Sequence, residues 1–116
     1  MQFNELKQLV ITAIEDLKGE NIIELDVRNK TSVTDLMLVV SGGSSRHVKA
    51  IANNVILEAK KAGHQPLGVE GEAQAEWVLV DLGDIVLHVM QYKVREFYEL
   101  EKLWAMDEAP DKQSVS

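Results

Sequence analysis

Phe3, Leu6, Leu9, Val10, Ala13, Ile14 and Leu17 recur at helical spacing, with Gly19 just beyond them and Asn4 as the candidate N-cap. The pattern then changes period. From Ile22 to Val27, Ile23, Leu25 and Val27 alternate with Glu24 and Asp26, as in a half-buried strand with the aliphatic positions turned inward. Arg28 to Thr34 is a polar connection. Leu36-Met37-Leu38-Val39-Val40 is an unbroken apolar run, which predicts a central strand buried on both faces. After Ser41-Gly42-Gly43-Ser44-Ser45-Arg46-His47 a second helix is expected. Either serine can cap it, Val48, Ile51, Ala52, Val55, Ala59 and Ala62 form its stripe, and Gly63 stops it. Arg46, Lys49, Asn53 and Lys60 fall off the stripe.

His64 to Ala75 reads as a loop rich in glycine and glutamate. The stretch from Glu76 to Trp104 follows, a hairpin and then a helix, and it holds both tryptophans and both tyrosines. A turn on Leu82-Gly83 would set Leu79 opposite Val86 and Trp77 opposite His88; a loop from Asp81 to Asp84 gives the same two pairs. Side chains alternate along a strand, so Trp77, Leu79, Val86, His88 and Met90 share one face. Val78, Val80, Ile85, Leu87 and Val89 share the other, which is purely aliphatic and should be core. On the last helix Val94, Phe97, Leu100 and Trp104 form a stripe with Tyr98 at its edge. The order helix, strand, strand, helix, strand, strand, helix predicts an α/β (α+β) domain. Its small mixed sheet should have about four or five strands with helices packed against it.

Composition narrows the function. A chain of 116 residues forms one domain, here 1–106, followed by a disordered polar tail, 107–116, containing Pro110. The absence of cysteine removes disulfides, thiol catalysis and thiolate zinc sites. The start, MQFNELKQL, lacks the basic and apolar regions of a signal peptide, and no apolar run is long enough to span a bilayer, so a cytoplasmic protein is expected. Twelve basic against nineteen acidic residues give a net charge of -7. Such a chain is repelled by a phosphate backbone and attracted to a basic protein surface.

The candidate chemistry is sparse. The glycine–serine turn could cradle a phosphate with Arg46 beside it, but no lysine follows in P-loop spacing, and a capped strand-to-helix turn is the plainer reading. Asp81 and Asp84 flank a hairpin turn without the alternation that would bring both to one metal, so no metal or other cofactor is expected. His47 and His64 read as solvated surface histidines. His88 reads equally as a satisfied half-buried histidine and as a contact residue. Trp104 is expected in the core, whereas Trp77 and Tyr98 are interface candidates with an acidic rim of Glu70, Glu72, Glu76 and Asp81.

Several motifs, in order, carry a family resemblance: TDLMLVVSGGSSRHVKAIA, PLGVEGE, EWVLVDLGDIVLHVM and YELEKLW. Over Leu6 to Trp104 the chain resembles the ribosomal silencing factor family, also called Iojap-related. The resemblance implies a nucleotidyltransferase-like core without its catalytic carboxylates and a non-enzymatic translational repressor. It implies binding to large-subunit ribosomal protein fourteen, a block on subunit joining when nutrients are scarce, and a homodimer. Matched by motif, Trp77, Asp81, His88 and Tyr98 would form the functional surface, with Gly68, Glu70 and Gly71 as a neighbouring loop. Which of them meet the ribosome and which a second subunit is left open. The alternative is a nucleotide-binding, nucleotidyltransferase-like enzyme using the turn from Gly42 to Arg46.

Overall fold

The computed structural model of the protein describes residues 2–28 and 34–98, with only the backbone of Phe97 and Tyr98. The elements are α1 (Phe3–Asp16), β1 (Glu20–Asp26), β2 (Leu36–Gly42), α2 (Ser45–Lys61), β3 (Gly68–Glu70), β4 (Trp77–Asp81), β5 (Ile85–Gln91) and α3 (Tyr92–Tyr98). The expected positions of Leu100 and Trp104 and the tail at 107–116 lie outside the described residues.

The described strands form one mixed sheet in the order β1-β2-β5-β4-β3. β2 and β5 are parallel, and the other neighbours are antiparallel. A parallel pair needs a long crossover. Here α2, β3 and β4 all lie between β2 and β5 in the chain.

The aliphatic runs fill one face of the sheet. Leu38 and Val40 of β2, Val78 and Val80 of β4, and Ile85, Leu87 and Val89 of β5 have no exposed surface. Against them α1 sets Leu6, Val10, Ala13 and Ile14, and α2 sets Val48, Ile51, Ala52, Val55 and Ala59. The stripe of α2 ends one position early, because Ala62 lies past the last turn and is exposed. Ser44 is the serine that caps α2, its Oγ accepting from the His47 N–H at 3.1 Å. Beyond the other end Gly63 takes a left-handed φ of 82° and breaks the helix, as expected.

Four expectations change. α1 begins at Phe3, whose ring packs on the core, so the N-cap is Gln2 rather than Asn4; the Gln2 N–H donates to Glu5 Oε1 at 3.0 Å. The loop from His64 to Ala75 contains β3, because Gly68-Val69-Glu70 pairs with the free edge of β4. The hairpin turns one residue later than read. Leu82 donates its N–H to the Ile85 carbonyl at 2.8 Å, and Gly83, at φ 90°, is the first central residue. Asp81 therefore faces Val86, Leu79 faces His88 and Trp77 faces Met90, with the division between faces unchanged. On β1, finally, Ile23 and Leu25 point away from α1 and α2, to the second face of the sheet. Glu24 points to α1 and pairs with Lys7 at 2.7 Å.

The two faces should respond differently to truncation. Leu87→Ala, on the helix-covered face, is expected to cost about 2–5 kcal/mol of stability. Leu79→Ala, on the second face and half-buried, should cost less than about half as much. Urea denaturation of both variants checks the contrast, and equal losses would contradict it.

A candidate docking face on the sheet

The second face is built from residues that only the strand order brings together. One row crosses all five strands as Ile23, Val39, His88, Leu79 and Glu70. The next row is Leu25, Met37, Val86, Asp81 and Gly68. Ser41, Met90 and Trp77 form a third. At this third row α3 packs on the face through Val94. Arg95 anchors it there, Nη1 donating to the buried Ser41 Oγ at 2.8 Å. Ile23, Leu25, Leu79, Val86 and Trp77 stay half-buried, an apolar surface left partly bare.

His88 and Trp77 meet on this face diagonally rather than directly opposite. The indole Nε1–H donates to His88 Nδ1 at 2.9 Å, with the ring centroids 5.8 Å apart and the planes at 52°. Because Nδ1 accepts, the neutral ring carries its proton on Nε2. His88 is 6% exposed, and among the described residues Nε2 meets no hydrogen-bond partner. Burial away from water penalises the imidazolium and lowers the pKa of His88 to about 4. One nitrogen of this histidine is satisfied by a neighbour and the other is not, and the ring is buried rather than half-buried.

The remaining expected positions divide. Asp81 lies on the same face, half-buried, but its Oδ1 accepts the Gly83 N–H at 2.9 Å, which is turn chemistry. Glu70 is exposed at the β3 edge, and Gly68 sits beside Asp81 with open space around it. Gly71 has a backbone role. Its φ is 88°, and a Cβ there would collide with the Trp77 carbonyl oxygen, so only glycine lets this loop close against β4. Gln91 holds the loop's far end, its N–H donating to the Glu76 carbonyl at 3.0 Å and its Nε2 to the Ala75 carbonyl at 3.2 Å. Tyr98 ends α3, and its side chain lies outside the described residues.

The other two histidines are structural rather than solvated. His47 Nε2 lies 2.7 Å from the Leu17 carbonyl, and its Nδ1 accepts the Gly43 N–H at 3.0 Å. It ties the end of α1 to the start of α2. His64 Nε2 lies 2.8 Å from the Leu82 carbonyl and fixes the hairpin. Sequence spacing alone gave no sign of either tie, since both partners are main-chain carbonyls distant along the chain.

Charge is segregated. From Ala62 to Tyr92, the span that supplies β3, β4 and β5, there are five acidic residues (Glu70, Glu72, Glu76, Asp81, Asp84) and no lysine or arginine. Arg46 and Lys49 stand exposed by the glycine–serine turn, against Ala73 and Gln74. Among the described residues no group of three or more His, Cys, Asp or Glu could hold a metal ion, and no helix is long and apolar enough to cross a membrane.

The described domain is thus a mixed sheet with helices closing one face, the other face partly exposed and apolar, with Asp81 and Glu70 towards one edge. The chain belongs to the ribosomal silencing factor family: the family model RsfS, ribosomal silencing factor during starvation, matches residues 1–116. It is 48% identical over 100 residues to the ribosomal silencing factor of Haemophilus influenzae, covering 86% of this chain and 98% of that one. To the ribosomal silencing factor of Chromobacterium violaceum it is 49% identical over 104 residues, 90% of this chain and 85% of the relative. A crystal structure of a Chromobacterium violaceum protein matches with a TM-score of 0.88 at 48% identity, covering 90% of this chain and 88% of that one.

The depressed pKa of His88 has a consequence for stability. The unfolded chain binds a proton on this histidine near pH 6.5, whereas the folded chain binds it near pH 4. Its contribution is therefore complete above about pH 6.5 and is lost as pH falls towards 4, by about 3 kcal/mol in all. Urea midpoints measured from pH 7 to pH 4 should fall more steeply for the wild type than for His88→Gln, which has no proton to take up.

Proposed function

We propose that this chain is a non-catalytic translational repressor that docks through the second face of its sheet. In this reading it binds large-subunit ribosomal protein fourteen. Bound there, it occupies space the small subunit needs and so blocks subunit joining when nutrients are scarce. The observation that carries the reading is the half-bare apolar face beside a span with five carboxylates and no cation. Apolar area supplies affinity, while the acidic edge selects a basic ribosomal protein and speeds its encounter. A specific interface buries ~1,600 Å² in total, an area that one side of a domain this small can supply half of.

Trp77 is the expected anchor. It is half-buried, so its indole keeps area for a partner while the Nε1–H is held by His88. Homodimerisation, which the family resemblance also implies, would be a second use of apolar surface on the same domain. The enzymatic alternative has less support. Ser44 is occupied as a cap and Asp81 as a turn ligand, which leaves Arg46 and Lys49 at the glycine–serine turn without paired carboxylates.

Trp77→Ala should weaken binding to purified large subunits by about 2 kcal/mol or more, roughly thirtyfold, while the domain stays folded. Co-sedimentation measures the binding and circular dichroism the fold. A variant that pellets with the subunits as well as the wild type would remove Trp77 from the interface.

A further inference from the structure

His88 carries a donor that the isolated chain does not use. Trp77 engages Nδ1, so the neutral ring places its proton on Nε2, and that atom has no partner among the described residues. The nearest carboxylate in its row is Glu70, two strands away. At a strand spacing of about 4.8 Å that is roughly 10 Å, out of hydrogen-bond reach. A buried donor left unmade is destabilising; a leucine in its place would remove that cost, but with it the acceptor that holds the Trp77 indole. The acceptor atom Nδ1 serves the fold; the donor atom Nε2 does not.

We propose that His88 Nε2–H is a docking donor, completed by a main-chain carbonyl of the protein that covers this face. The inference rests on the docking reading above and assigns the chemistry at its centre. His88 lies in the middle strand of the sheet, in the row between the fully buried Val39 and the half-buried Leu79, and is itself 6% exposed. Small side-chain shifts of the kind common at interfaces would bring an acceptor to it. The ring is neutral in this dry setting, so a neutral acceptor suits it better than a carboxylate. The bound surface is expected to be basic, opposite the acidic span from Ala62 to Tyr92, and so to be poor in carboxylates. Main-chain carbonyls are present on every protein surface. The histidine would then favour a partner whose backbone reaches that point over one that is merely basic.

The test compares wild type, His88→Leu and His88→Gln. Each is sedimented with purified large ribosomal subunits, and each is unfolded in urea at pH 8. His88→Leu, which loses the acceptor for Trp77 as well as the unused donor, is expected to stay folded at pH 8 and to bind about tenfold or more weakly. His88→Gln keeps an acceptor for Trp77 and a donor for the partner, and is expected to bind within about threefold of wild type. Leucine and wild type binding alike would overturn the inference and leave the docking reading standing. So would a glutamine variant no better than leucine, or a His88→Leu loss that disappears once Trp77→Phe has removed the indole N–H, since the histidine would then act only by holding Trp77. A leucine substitution that changes only self-association would assign the acceptor to a second copy and overturn it too. Wild-type protein that fails to sediment with the subunits would overturn the docking reading and the role of His88 together.

Discussion

β2 and β5 lie side by side in parallel, paired from Leu36 with Ile85 through Gly42 with Gln91. Their alternate residues are forced to opposite faces of the sheet. Leu38, Val40, Leu87 and Val89 go to the helices, while Val39, His88 and Met90 go to the other side. β1 and β4 can add only at the two outer edges of this pair, and β3 only beyond β4. The parallel pairing thus decides which residues β1 and β4 contribute to each face, and in this way assembles both the helix-covered core and the second face.

The two faces have unequal cover. α1 and α2 close the first face with continuous aliphatic stripes. On the second, α3 reaches the end marked by Ser41 and Met90, held by Arg95 and Val94. The result is a sheet covered by helices on one side and only partly exposed on the other, where Val27, Met37, Val39 and Met90 are buried as well. The strands fix the spacing of the half-buried side chains on this second face.

The three histidines show how one residue type is used in different ways. His47 and His64 each meet one main-chain carbonyl through Nε2 and lock a helix junction and a hairpin. His88 is buried beside an indole and offers one nitrogen to it. Gly71 supports the same pair from the backbone, since the loop it begins can approach Trp77 only without a side chain.

Much of this was already in the sequence. Periodicity located the α2 stripe from Val48 to Ala59, the unbroken run of β2, and the aliphatic and aromatic faces of the hairpin, because burial selects side chains at fixed intervals. The motifs from Thr34 to Trp104 carried the family. The order of the strands was not legible, and so neither was the joining of Ile23, Leu25 and Met37 to the surface around Trp77. β3 was missed because three residues show too little alternation to announce a strand, and pairing with β4 is what makes them one. The turn centre moved by one residue because Leu82 is drawn into the core, a demand set by packing rather than by turn preference. Local sequence, then, showed which side chains of an element lie together, but not, as β1 shows, which face of the sheet they take. Only the three-dimensional fold decided which faces coincide and which nitrogen of His88 is left without a partner, because both depend on contacts between residues far apart in the chain.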